Sequence, residues 1–87
     1  MKYRKKPVEV EVIQNKNDTN IAELKKFVGE KLITYVDEKD TVILMEIRTL
    51  EGNMTVGKND YIIKGVQGEF YPCKPNIFKQ TYEKVEE

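Results

Sequence analysis

The chain has 87 residues, with 15 basic and 15 acidic side chains that cancel. That length holds one small domain and no separate catalytic lobe, and zero net charge supplies no global field toward nucleic acid or an anionic membrane. There is no His and a single Cys, which excludes a His-based triad, a closed structural zinc site and an internal disulfide.

Lys2, Arg4, Lys5 and Lys6, with Tyr3 among them, form a basic arm over residues 1–6 that has no apolar run of signal-peptide type. Pro7 to Ile13 then reads P-V-E-V-E-V-I. This period-two alternation predicts a strand with Val8, Val10 and Val12 inside and Glu9 and Glu11 outside. The polar stretch Gln14 to Thr19 is a loop. Asn20 is a helix N-cap three residues before Glu23, so the two can form a capping box. Ile21, Leu24 and Val28 share a face beside Phe27, and Gly29 suits the end of a helix that must pack on a sheet to persist.

Leu32 to Val36 is a second strand, closed by the charged turn Asp37 to Asp40. The apolar residues of Thr41 to Thr49 are nearly continuous, which predicts a central strand covered on both sides. Glu51-Gly52 marks a hairpin into Met54–Val56. Turns at Gly57–Asp60 and Gly65–Gly68 separate strands at Tyr61–Lys64 and Glu69–Cys73. Pro75 suits the first position of a helical turn over Asn76 to Gln80. Thr81 to Val85 is either a last strand or a helix continued through Glu83, and Glu86-Glu87 is expected to fray. The fold class is therefore α+β: one domain over residues 1–87, with five to six mostly antiparallel or mixed strands, one packed helix and a short C-terminal helical turn. The expected core is Val8, Val10, Val12, Leu24, Phe27, Ile43, Met45, Ile47, Ile63 and Phe70.

Four features are candidates for chemistry. The basic arm could contact phosphates while Tyr3 stacks on a base. Glu9, Glu11, Asp60 and Glu69 would form an acid-base site only if two or more converged in a cleft; otherwise Glu9 and Glu11 are the wet face of a strand. Cys73 reads as a structural thiol, because adjacent strand side chains point apart and Lys74 need not reach it. The segment Asp60 to Phe78 concentrates aromatics between Gly65, Gly68, Pro72 and Pro75. Within it Lys64, Glu69, Tyr71 and Lys74 are the candidate partner contacts. Tyr71 is expected to point outward if Phe70 points inward, and Gly65 is expected at a turn that needs positive φ.

The stretch D-Y-I-I-K-G-V-Q-G-E-F-Y-P-C-K-P-N-I-F resembles the C-terminal signature of a family of small phage- and prophage-encoded proteins. The opening M-K-Y-R-K-K-P-V-E-V-E-V-I-Q and the T-L-E-G-N-M-T-V hairpin are similar to theirs. Such proteins often carry Pro-Gly-Asp-Tyr where this chain has Lys58-Asn59-Asp60-Tyr61, and Pro-Asp-Ile-Phe at Pro75-Asn76-Ile77-Phe78. The resemblance implies a phage origin and a host-cytoplasmic setting, and it transfers no activity. The expectation is a non-catalytic module that binds a host or phage protein, without cofactor, metal or membrane; the alternative is a small nucleic-acid-binding domain.

Overall fold

The computed structural model describes residues 1–4 and 6–85; what was expected of Lys5, Glu86 and Glu87 falls outside that range. Six strands and two helices form an α+β fold in which every strand pairing is antiparallel. In chain order these are β1 (Glu11–Gln14), α1 (Ile21–Val28), β2 (Leu32–Val36), β3 (Val42–Thr49), β4 (Gly52–Thr55), β5 (Tyr61–Lys64), β6 (Phe70–Cys73) and α2 (Pro75–Thr81). A 3-10 turn, Gly29–Lys31, joins α1 to β2. The strands divide into two sheets of three, ordered β1-β5-β6 and β2-β3-β4.

Helix α1 begins where Asn20 accepts a hydrogen bond from the Ala22 amide at 2.8 Å, and the Glu23 amide bonds the Asn20 carbonyl. Gly29, at φ 74°, ends it, a conformation that costs glycine least. Its inner face buries Leu24 and Val28 against Met45, Ile47, Val56, Ile62 and Phe70. Phe27 is half-buried and meets Phe70 edge to face, with ring centroids 5.6 Å apart.

The burial pattern corrects several expectations. The first strand begins at Glu11, not Pro7, because β5 ends at Lys64, the partner of Glu11, and no strand among the described residues extends alongside residues 7–10. Val8 is therefore 59% exposed, Val12 is also exposed, and Val10 is only half-buried. Ile43, expected inside, is 66% exposed. Tyr35 pairs with Leu44 and Val36 with Val42, so Ile43 is the extra residue of a bulge, and such a residue breaks the inside-outside alternation. β3 is central in its sheet but covered on one face only: Met45 and Ile47 are buried, whereas Leu44 is exposed. The strand covered on both faces is β5, whose Ile62 and Ile63 are both inaccessible. The expected last strand over Thr81 to Val85, or helix through Glu83, does not form: α2 takes in Thr81 and stops there, and residues 82–85 have no regular secondary structure.

Candidate functional site

The Asp60 to Phe78 segment folds as the β5–β6 hairpin followed by α2. Register places Tyr61 opposite Cys73, Ile62 opposite Pro72, Ile63 opposite Tyr71 and Lys64 opposite Phe70. Alternation then gives the hairpin two faces. Ile62 and Phe70 join the main core, while Tyr61, Ile63, Tyr71 and Cys73 occupy the opposite face. On that second face the rings of Tyr61 and Phe78 stack, 3.8 Å between centroids and 10° between planes. Phe78 stacks in turn on Tyr82 at 5.0 Å. The Tyr71 and Tyr82 hydroxyls lie 3.2 Å apart and share a hydrogen bond. Burial, reinforced by that bond, pushes the Tyr71 phenol up to about 12. These rings hold α2 to the sheet.

The turn before β5 is built around a buried carboxylate. Asp60 is 2% exposed. It accepts the Gly57 amide at 2.7 Å and faces the Lys74 ammonium at 3.4 Å. The Asp60 amide bonds back to the Gly57 carbonyl, with Asn59 at φ 67°. Lys58 and Asn59 thus take the two central positions of a type II-like turn, where proline and glycine are favoured. Asn59 tolerates positive φ better than most residues, so the turn survives without glycine. Asn15 fastens it to the end of β1: its amide bonds the Asp60 carbonyl at 2.8 Å, its carbonyl accepts from Asn59 at 2.7 Å, and its side chain reaches the Gly57 carbonyl at 3.0 Å.

The four candidate contact residues do not form one cluster. Lys64 and Glu69 flank the hairpin tip, where the Gly65 amide bonds the Glu69 carbonyl at 2.7 Å. Lys74 lies at the other end of the strands, engaged with Asp60. Tyr71 is half-buried with its hydroxyl occupied, and it projects from the face opposite Lys64. The positive φ expected at Gly65 belongs to Gly68, at 81°; a side chain at Gly65 would instead overlap the Glu69 carboxylate. Cys73 is half-buried, and burial with the nearby Asp60 charge pushes its thiol up. Lys74 turns to Asp60 rather than to the sulfur.

Asp60 stands apart from the other carboxylates: it precedes β5, whereas Glu11 and Glu69 lie at its far end, where the Glu69 carboxylate folds over Gly65, and Glu9 is exposed in the arm. Lys2, Arg4 and Lys6 are exposed on a segment with no regular secondary structure. Among the described residues no group of three or more His, Cys, Asp or Glu is placed to hold a metal ion, and no helix is long and apolar enough to cross a membrane.

Two surface features escaped sequence reasoning. One is the turn network around Asp60, signalled only by an Asp directly before an apolar strand. The other is an apolar strip on the outer face of the second sheet, where Tyr35 and Leu44 stand directly opposite each other, 42% and 39% exposed. Ile43, the bulge residue, is exposed beside Leu44, whereas Val36 pairs with Val42 and alternation sends its exposed side chain to the face opposite Tyr35. The Tyr35 hydroxyl donates to Glu46 at 2.8 Å, and this bond to the carboxylate raises the phenol above its ordinary value. No family model, curated protein or solved structure matches the chain.

Proposed function

We propose that the chain is a non-catalytic interaction module of phage or prophage origin, acting in the host cytoplasm by binding a host or phage protein. The observation that carries this reading is the exposed apolar strip of Tyr35 and Leu44, directly opposite each other, with Ile43 at the adjoining bulge. Contiguous exposed apolar side chains on a highly charged small domain are costly in water unless a partner covers them. Tyr35 also offers the combination of ring and hydroxyl that favours interface anchors. Lys64 and Glu69 at the hairpin tip supply a polar second contact region, separate from Tyr71 and Lys74.

Capture of partners from host lysate on the immobilised chain, with and without nuclease, tests the proposal. A nuclease-resistant partner that is lost with Leu44→Lys, while the variant's circular dichroism is unchanged, supports it. Equal capture by wild type and Leu44→Lys overturns the strip as the contact surface. The exposure of Lys2, Arg4 and Lys6, with Tyr3 88% exposed beside them, favours a second reading as a nucleic-acid binder. That reading requires nuclease-sensitive capture that weakens steeply with salt.

A further inference from the structure

The arm before β1 has the pattern of a strand and, among the described residues, no pairing partner. β1 is an edge strand whose one neighbour is β5. The Asn15 amide bonds the Asp60 carbonyl, so odd-numbered residues of this strand direct their backbone groups toward β5. In an antiparallel strand the even-numbered ones direct theirs the other way. The amide and carbonyl of Val12 therefore face the open edge, and continuing β1 through the arm brings those of Val8 and Val10 to the same edge. Pro7, which has no N–H, is odd-numbered, and its missing donor falls on the β5 side. The Gln14 carbonyl is already taken by Thr19 and Lys16, so the free edge ends at Val12. Beside it lies an open groove lined by Val12, Ile13, Gln14, Lys16, Asp18, Thr19 and Glu23, with two carboxylates among them.

We propose that a second copy of this chain occupies that edge, the two arms pairing antiparallel about a two-fold axis at Val8. In a symmetric antiparallel pair the register follows from which residue meets its own copy. A centre at Glu9 sets Glu9 against itself, and a centre at Val10 sets Glu9 against Glu11; both put like charges directly opposite. A centre at Lys6 sets that lysine against itself. With Val8 on the axis, Val10 stands opposite Lys6 of the second copy and Val12 opposite Arg4. The outward backbone groups then meet one another, and the lysine stems can cover the valines. This register also carries Arg4 of one copy to the groove holding Asp18 and Glu23 of the other. The positive arm thus complements a groove whose charged lining, Asp18 and Glu23 against Lys16, is net negative at the strand it would join. Strand addition of this kind draws affinity from main-chain bonds and specificity from alternate side chains. It goes beyond binding of a host or phage protein and uses a different surface from the Tyr35–Leu44 strip.

Sedimentation of the purified full-length chain across a concentration series tests the proposal independently of any lysate partner. The expected result is a monomer–dimer equilibrium that weakens with salt, with slowed amide exchange at Val8, Val10 and Val12 in the dimer. Val10→Pro removes an outward donor outside the β1–β5 ladder and is expected to abolish the dimer. Glu9→Pro, whose lost N–H faces the other way, is expected to keep it. Arg4→Glu is expected to weaken association about tenfold, since a symmetric interface carries the change twice, and Asp18→Lys in the same chain is expected to restore it. A wild-type monomer at every concentration up to about 1 mM, or equal dimerisation of the two proline variants, overturns the proposal.

Discussion

Asp60 and Lys74 are joined across the two ends of the hairpin: the carboxylate is almost fully enclosed, and the ammonium that approaches its Oδ2 at 3.4 Å sits on a side chain 63% exposed. The asymmetry decides what each residue contributes. Asp60 also accepts the Gly57 amide, a charge-assisted bond away from water, while Lys74 reaches in from solvent.

Asp60→Ala should therefore lower stability by about 2–3 kcal/mol, because the Gly57 amide loses a charged acceptor. Lys74→Met should cost less than about 1 kcal/mol, since the cation is screened and water can replace it. Urea midpoints of the two variants check the order; a larger loss at Lys74 would contradict it.

Ile47→Ala should cost about 2–5 kcal/mol, because the side chain is completely enclosed between the sheets and α1 and its loss leaves a cavity. Ile43→Ala should stay within about 0.5 kcal/mol, as expected for a surface position. The pair shares one strand and one residue type, so their comparison isolates the effect of the bulge.

At the hairpin tip, Gly68→Ala should cost about 1 kcal/mol from its positive φ. At Gly65 the obstacle is the Glu69 carboxylate, the end of a flexible side chain. Gly65→Ala should thus be tolerated better once Glu69→Ala is also present, and thermal midpoints of the single and double variants give the coupling.

Tyr71 predicts an alkaline transition. Its folded-state value, about 12, lies above the ordinary 10.0, so the folded state holds the phenol proton more tightly than the unfolded chain does. The contribution is complete below pH 10 and is lost as pH rises from there toward 12. Stability measured by denaturant across that window should fall for the wild type and fall less for Tyr71→Phe, with the phenolate absorbance rising in step.

The elements were legible wherever periodicity was local. The Ile21–Leu24–Val28 stripe, the Glu51-Gly52 hairpin and the Tyr61–Lys64 strand all stand as read, and Leu24, Met45, Ile47, Ile63 and Phe70 are buried. The errors share a cause. Val8 carries a strand pattern, but whether a strand forms depends on where its neighbour ends, and that neighbour is far away in sequence. Ile43 sits in an unbroken apolar run, and a bulge leaves no mark in such a run. The site was harder to read because alternation separates Lys64 from Tyr71, and strand length separates both from Lys74. The aromatic content of the Asp60–Phe78 segment turned out to secure α2, since Phe78 and Tyr82 extend a stack begun by Tyr61.

The pairing of β1 with β5 has a kinetic consequence. β2, β3 and β4 follow one another as a meander with short connections, so their contacts close small loops. β1 reaches its neighbour only across about half of the chain, as the bond from Gln14 to Asn59, 45 positions apart, records. Closing that long loop carries the larger entropy cost. The meander and α1 should assemble first, with β1 docking late and detaching first. Pulse-labelled exchange would then show Met45 and Ile47 amides protected before that of Ile13, and a nascent chain would hold its N-terminal strand unpaired until the Tyr61–Lys64 segment had been made.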